Sequence, residues 1–310
     1  MEKVEKKVKT SAKKRNISAF NIAVFIVLLL YCLFFLFLIV WGVFAALKRV
    51  DEFDGNMLGI PYGWPWEWAW SNFKFVFSKF NVPITIMEGP FAGFQREVGM
   101  FPLIGNTLLY TLPSALIATF IPCLAAYLTA KYTYRLSSIV YVIVIVTMVL
   151  PIVGNYPSEL QLLRTLNLYN TFWGVWLQKA NFLGMYFLVF YAIFKNTPND
   201  FAEAAQIDGA SEFTIFFRIM LPLCATTFFT VMLIRFIEFW NDYQIPLLYM
   251  PSHPTLSYGL YSVYTSSSNE LNNVPMRMAS TIMVIIPIIV LFLCFKNRLM
   301  GNISMGGLKG

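Results

Sequence analysis

Long apolar runs separated by basic or polar stretches constrain this chain more than any other feature of its sequence. Six such runs are present, at residues 22–47, 101–130, 136–153, 171–194, 223–250 and 278–295. A bilayer core is about 30 Å thick, and a helix needs about 20 apolar residues to cross it. Because lipid offers the backbone no hydrogen-bond partners, spanning segments must be helices or closed barrels. The pattern predicts an all-α, polytopic protein of the cytoplasmic membrane, surrounded by lipid, with six transmembrane helices.

The composition excludes several other classes of protein. Only 13% of the residues are charged and 58% are hydrophobic, whereas a soluble domain carries about 25% charged residues. The single histidine, His253, stands in a loop, and the four cysteines have no metal-ligand spacing. We therefore predict no metal site, no catalytic residues and no enzyme activity. The net charge of +7 comes mainly from the N-terminal tail and does not require a nucleic-acid partner.

The positions of the basic residues predict the orientation of the spans. Residues 1–15 contain seven Lys and Arg residues and two Glu residues. Basic residues also follow the second and the sixth run: Lys131, Arg135, Lys296 and Arg298. Since Lys and Arg concentrate in cytoplasmic loops, both termini are predicted to be cytoplasmic. A polar interruption, Lys179 with Asn181, lies inside the fourth run.

Residues 197–222, TPNDFAEAAQIDGASEFTIFFRIMLP, form a polar-flanked interval that we call loop 197–222. The pattern predicts two short helices joined by one hinge. Thr197 is predicted to cap the first helix, Gly209 to adopt the left-handed conformation that ends it, and Ser211 to cap the second. Apolar residues then follow at offsets of three, four and seven, which predicts a single apolar stripe. They are Phe213, Phe216, Phe217 and Met220.

The order Glu203-Ala204-Ala205, Gly209, Ile219 and Leu221-Pro222 resembles the cytoplasmic coupling motif of ABC-importer permeases. The segments FIEFWNDYQIPLL (236–248) and GNISMGGLKG (301–310) resemble the carbohydrate-uptake branch, specifically its maltose-transporter-type second permease subunit. The resemblance covers residues 101–310. It implies that loop 197–222 is a cytoplasmic coupling-helix loop that docks on an ATPase. The residues that it assigns to ATPase coupling are Glu203, Ala204, Ala205, Asp208, Gly209 and Phe213.

The resemblance also implies a set of partners and a division of the chain. The partners are a second homologous permease, two ATP-binding subunits and an extracytoplasmic solute-binding protein. No glycine starts a GxxxxGK[ST] phosphate loop, so no cofactor is expected in this chain, and ATP and Mg²⁺ belong to the partner ATPase. The expected segments are a basic cytoplasmic tail (1–21), a first transmembrane helix with a Trp-rich extracytoplasmic loop (22–100), a permease core (101–296) and a cytoplasmic Gly-rich tail (297–310).

Charged residues near the end of the fifth run form a candidate substrate path. Arg235, Glu238 and Asp242 fall within about 60° of arc on one helical face, and Phe239 shares that face. Trp240 and Asn241 lie to either side of it. Carboxylates, amides and aromatic rings recognise sugars. In the competing interpretation, Arg235 and Glu238 only neutralise each other.

The expected function is therefore alternating-access import of a sugar or oligosaccharide, driven by closure of an ATPase. An ABC permease for another polar solute, such as a polyamine or a glycerophosphate, is one alternative. An ion-coupled secondary carrier that uses Glu238 and Asp242 is another. Four tryptophans in residues 64–70 also admit two interpretations, since such a cluster serves either as a sugar-stacking platform or as an anchor at the membrane interface.

Overall fold

The structure, a computed structural model, describes residues 19–86, 93–132, 134–150, 154–266 and 270–300. Most of the predicted basic tail (1–21) and most of the Gly-rich tail (297–310) lie outside these residues. The described part of the chain is mostly helical, and its elements are listed here in chain order. They are α1 (Ala19–Ala46), α2 (Val50–Gly55), α3 (Ser71–Lys79), β1 (Val82–Thr85), β2 (Gln95–Val98), α4 (Met100–Lys131), α5 (Arg135–Val149), α6 (Tyr156–Thr165), α7 (Phe172–Lys179), α8 (Met185–Asn196), α9 (Asp200–Ile207), α10 (Glu212–Ile215), a π-helix (Phe216–Met220), α11 (Leu221–Leu223), α12 (Ala225–Asn241), α13 (Gln244–Tyr249), α14 (Leu256–Thr265) and α15 (Val274–Met300).

A short two-stranded ribbon departs from the all-α prediction. Strands β1 and β2 pair antiparallel, with Val82 opposite Val98 and Thr85 opposite Gln95. Apolar residues alternate along β1, so Val82 and Ile84 are buried while Pro83 and Thr85 are exposed. This period of two favours a strand with one covered face. Together with α2 and α3, the ribbon fills part of the segment 48–100 that the sequence pattern presented as a loop.

Three of the described helices are long and apolar enough to cross a membrane, at Phe20–Ala46, Met100–Lys131 and Val274–Cys294. A fourth span results if the pair Glu212–Leu223 and Ala225–Asn241, which is bent by 78°, counts as one crossing. Helices α5 and α8 are apolar but shorter. The helical membrane-protein class is confirmed, whereas the six-span count and the orientation of the termini stay predictions.

Helix α4 is the central element, since it packs against both α8 and α12. Its buried face is rich in small side chains, which let neighbouring backbones approach closely. These residues are Thr107, Thr111, Ser114, Ala115, Ala118, Thr119 and Ala126. The threonine hydroxyls donate to carbonyls one turn earlier in the same helix, each at 2.7 Å. The close contact therefore leaves the threonine hydroxyls satisfied.

The prediction of one continuous helix over residues 171–194 is wrong in its middle. Helix α7 ends at Lys179, and α8 begins only at Met185. Gly184, just before α8, has φ +121°, a left-handed conformation that glycine adopts without steric cost. The 12 residues of α8 span about 18 Å, less than a bilayer core. The polar pair Lys179 and Asn181 marks this break.

The predicted helix over residues 223–250 also differs from the structure. It begins at Ala225, after the bend, and ends at Asn241. The Asp242 carboxylate then accepts hydrogen bonds from the backbone N–H groups of Gln244 and Ile245, at 3.0 and 3.1 Å, which starts the separate helix α13. Arg235 therefore lies about 15 Å from the start of α12.

The Trp-rich segment lies between α2 and α3. Trp64 and Trp66 stack with parallel rings whose centroids are 5.2 Å apart, and both side chains are exposed. The indole nitrogen of Trp70 donates to the Pro65 carbonyl at 2.8 Å, which holds the turn. The stacked pair presents a flat apolar face, as both interpretations of this segment require.

The start of α7 generates a prediction about stability. A Cβ on Gly174 would lie 2.2 Å from the Leu168 carbonyl oxygen, a backbone atom that has little freedom to move. Gly174→Ala should destabilise the protein by about 1–3 kcal/mol through this overlap and lower its thermal unfolding midpoint in detergent. Gly105→Ala in α4 is the matched control, because a Cβ there meets nothing within 4 Å. Equal midpoints for the two variants would contradict the packing described here.

Candidate functional site

The first half of loop 197–222 is built differently from the expectation. Thr197 ends α8, where its hydroxyl donates to the Ile193 carbonyl at 2.9 Å. The prediction that Thr197 caps the first helix of the loop is therefore wrong. Helix α9 begins at Asp200, after Asn199, without a side-chain cap. Because the Thr197 hydroxyl bonds within the last turn of α8, it is not available to cap α9.

The hinge of the loop agrees with the sequence pattern. Gly209 has φ +79°, so the predicted left-handed conformation is confirmed. A Cβ at this position would meet nothing within 4 Å, so backbone conformation rather than crowding favours glycine. Ser211 caps α10, its hydroxyl accepting from the Thr214 N–H at 3.4 Å. The hinge and the second cap were therefore predicted correctly.

The predicted single apolar stripe is divided between two faces. Phe216 and Met220 are buried against α4 and α8, whereas Phe213 is 79% exposed. Phe217 is also exposed, although it stacks on Phe120. Residues 216–220 form a π-helix, which has more residues per turn than an α-helix and shifts the following side chains. The offsets of an α-helix therefore do not apply across this segment.

Polar contacts attach the loop to the end of α4. The Lys131 ammonium donates to the Thr197 carbonyl at 2.6 Å and to the Asn199 side chain at 2.8 Å. The Tyr132 hydroxyl donates to the Glu212 carboxylate, and burial together with this carboxylate raises the pKa of Tyr132. The hydroxyl therefore stays protonated at neutral pH and remains a donor.

The loop presents apolar side chains that nothing in the described chain covers. Ile207 is 86% exposed and Phe213 79% exposed, and Phe201 is exposed beside them. Ile207 was not among the predicted coupling residues. In the sequence, Ile207 is recognisable only as a lone aliphatic residue between Gln206 and Asp208.

The predicted coupling residues share this exposed surface, with one exception. Glu203, Ala204, Asp208, Gly209 and Phe213 are exposed, whereas Ala205 is half-buried against the helical core. We define the coupling surface as the exposed residues Glu203, Ala204, Ile207, Asp208, Gly209 and Phe213.

The second candidate site lies along α12. Arg235 Nη1 pairs with Glu238 Oε2 at 2.9 Å, and its guanidinium lies 4.5 Å from the centre of the Tyr186 ring. The Arg235 Nε is buried and has no hydrogen-bond partner within the described residues. The Glu238 side chain is 53% exposed. The pair therefore contacts Tyr186 of α8 on the Arg235 side and is exposed on the Glu238 side.

Asp242 lies at the end of α12. Its Oδ2 accepts from the Tyr110 hydroxyl at 2.6 Å, while Oδ1 accepts from two backbone N–H groups of α13. Asp242 thus ties α12, α13 and α4 together.

The remaining predicted path residues lie on different sides of α12. Phe239 is buried under the Lys179 ammonium, which lies 4.6 Å from its ring centre. Trp240 is buried on another face, where its indole donates to the Val284 carbonyl at 3.1 Å. Asn241 is exposed, and its amide donates to the Ile237 carbonyl at 2.8 Å. The structure brings together Arg235, Glu238, Phe239 and Asp242, and it separates Trp240 from them.

Three residues outside the predicted substrate path join Arg235, Glu238, Phe239 and Asp242 in what we call the α12 cluster. They are Lys179 from α7, Tyr186 from α8 and Tyr110 from α4. Lys179 was visible in the sequence as a lone base in an apolar run, whereas the tyrosines resemble ordinary core residues. Within the part of the chain that the structure describes, no group of three His, Cys, Asp or Glu residues is arranged to hold a metal ion.

Comparison with known proteins shows similarity to membrane components of transport systems. Residues 107–299 match the family described as the binding-protein-dependent transport system inner membrane component. The chain is 26% identical over 277 residues to the sulfoquinovosyl glycerol transport system permease protein SmoH of Agrobacterium fabrum, covering 89% of each chain. It is 29% identical over 208 residues to the arabinooligosaccharides transport system permease protein AraQ of Bacillus subtilis, covering 66% of this chain and 72% of AraQ.

A solved structure supports the fold. The crystal structure of a bacterial ABC transporter involved in the import of the acidic polysaccharide alginate contains a chain that superposes with a TM-score of 0.70 at 20% identity. The match covers 91% of this chain and 97% of that one. The family match includes both loop 197–222 and the α12 cluster. The predictions of a multi-pass membrane transport protein and of a non-enzymatic role are confirmed, because the chain belongs to the family of binding-protein-dependent transport system inner membrane components.

Proposed function

We propose that this chain is a transmembrane permease subunit of an ATP-driven importer for a sugar or oligosaccharide. The observation that carries the proposal is the coupling surface, where Ile207 and Phe213 are almost fully exposed on a loop attached to α4. Burying one such side chain against a partner contributes about 1.5–3 kcal/mol. Protein interfaces have an apolar core of this kind. Docking of an ATP-binding subunit accounts for this exposed pair.

The proposal includes the partners and the topology. We infer a second homologous permease, two ATP-binding subunits that hold ATP and Mg²⁺, and an extracytoplasmic solute-binding protein. The chain has six spans with both termini and loop 197–222 on the cytoplasmic side. Its basic tail (1–21), permease core (101–296) and Gly-rich tail (297–310) follow the sequence pattern. Family membership supports these assignments.

Coupling proceeds through the connections of the loop. Closure of the ATP-binding subunits moves the coupling surface, and Lys131 transmits that movement to α4. At its other end the loop passes through the π-helix into α12 across the 78° bend. A displacement of the loop therefore acts on both α4 and α12.

The relatives support a sugar as the solute, because AraQ and SmoH are named for arabinooligosaccharides and sulfoquinovosyl glycerol. We propose that the solute passes along α12, with Asp242 near the outer mouth of the path. Arg235 and Glu238 neutralise each other and hold α12 to α8 through Tyr186. An ion-coupled carrier would leave the exposed coupling surface without a partner, so we favour the importer.

The hinge of loop 197–222 provides the first test. Gly209→Val places a β-branched residue at φ +79°, where left-handed backbone costs about 1–2 kcal/mol. We expect the variant to reach the membrane and assemble normally but to lose most solute-stimulated ATPase activity. Gly209→Asn is the matched control, because asparagine tolerates this conformation, and it should retain most of the activity.

The result that would contradict the role of the hinge is normal stimulation in Gly209→Val at normal membrane levels. Loss of activity in both variants would instead indicate that any side chain at residue 209 obstructs docking, since a Cβ there is otherwise unhindered.

The Arg235–Glu238 pair provides the second test. Arg235→Met or Glu238→Leu alone leaves a partly buried charge without its partner and should reduce the yield of assembled transporter. The underlying loss of stability should be modest, about 1 kcal/mol, because the Glu238 side chain is 53% exposed. The double variant Arg235→Met/Glu238→Leu should restore both assembly and uptake. If it assembles normally but loses uptake or changes its preferred saccharide, the pair contacts the solute.

A further inference from the structure

A cavity of about 470 Å³ lies where the C-terminal ends of α4 and α8 meet the start of α5. Two basic side chains line it, Arg135 from α5 and Lys195 from α8. Hydroxyl groups make up most of its remaining polar lining, including those of Tyr134, Ser138 and Tyr191, and no carboxylate is among the lining residues. Neither the coupling surface nor the α12 cluster includes any of these residues.

The hydrogen bonds of the lining leave an excess of donors. Lys195 Nζ donates to the Tyr191 hydroxyl at 3.3 Å, which leaves two of its three N–H groups for another acceptor. The Tyr191 hydroxyl accepts this bond and so retains its own proton for donation. The Arg135 side chain forms no ion pair or hydrogen bond with the described part of the chain. Two positive charges and several free donors without acceptors form a site for an anion with several oxygen atoms.

A second observation points to the source of the anion. An exposed apolar strip runs along α5 away from the cavity, and one of its members, Val142, also lines the cavity. The strip consists of Val142, Ile145, Val146 and Val149, which follow the cavity-lining side of α5 at helical spacing. From Val142 to Val149 it is about 10 Å long, which reaches into the hydrocarbon of one bilayer leaflet. A charged headgroup site that continues into an apolar strip matches an amphipathic molecule.

We propose that this cavity binds the phosphate headgroup of an anionic phospholipid, with the acyl chains lying along the α5 strip. Arg135 supplies a planar pair of donors that matches two phosphate oxygens, and Lys195 supplies a point charge. Basic pockets between transmembrane helices bind anionic headgroups by this chemistry. Within the chain, α8 continues from Lys195 directly into Thr197 and loop 197–222. A bound headgroup therefore restrains the point where that loop begins.

The proposal can be tested by native mass spectrometry of the protein purified from membranes together with its co-purifying subunits. Delipidated protein is titrated with phosphatidylglycerol, with phosphatidylcholine and with inorganic phosphate. We expect phosphatidylglycerol to bind at least about tenfold more tightly than phosphatidylcholine, a difference of about 1.4 kcal/mol. Arg135→Gln/Lys195→Gln should bring the two lipids to similar affinity.

Two matched variants accompany this titration. Lys74→Gln/Arg164→Gln removes the same charge from basic residues outside the cavity and should keep the preference for phosphatidylglycerol. Arg135→Lys/Lys195→Arg keeps both charges and should retain most of the preference, which separates loss of charge from loss of folding. An unchanged preference in Arg135→Gln/Lys195→Gln would overturn the site. Binding of inorganic phosphate as tight as that of phosphatidylglycerol would overturn the lipid in favour of a free anion.

Discussion

The packing of α4 against α8 and α12 is the contact on which the rest of the structure depends. In a bilayer, apolar area alone does not drive helices together, because lipid is as apolar as the side chains. Close approach across the small residues of α4, among them Ala115, Ala118 and Ala126, supplies dispersion contacts instead. Its buried threonines bond to carbonyls of their own helix, so this face is tightly packed without unpaired threonine hydroxyls.

The same helix connects the two candidate sites. At one end Lys131 and Tyr132 hold loop 197–222, and further along the helix Tyr110 binds Asp242 at the end of α12. The 32 residues of α4 span about 48 Å. In the proposed coupling, this single helix, which contains Pro113 and Pro122, connects the loop to the α12 cluster. The proposed coupling therefore follows from the connectivity of α4.

Some features that depend on local chemistry were predictable from the sequence, although the cap at Thr197 was not, and features that depend on tertiary contacts were not. The left-handed Gly209 and the cap at Ser211 follow from residue type alone. The hydropathy of residues 171–194 predicted one span, because hydropathy averaged over a long window does not show the break before Gly184. Asp242 was expected on a helical face, yet its carboxylate bonds two backbone N–H groups and ends α12. Ile207 lacked any periodic signal, since exposure of a single side chain is decided by the fold.

Photocrosslinking can show whether the coupling surface contacts an ATP-binding subunit, as proposed. A photoreactive amino acid replaces Ile207, which is 86% exposed, or as a control Leu58, which is 72% exposed near the Trp-rich segment. After irradiation in native membranes, we expect the residue at position 207 to crosslink to an ATP-binding subunit in a manner that responds to ATP, and the residue at position 58 not to do so. Crosslinks from position 207 to lipid alone, in membranes that transport normally, would contradict this contact.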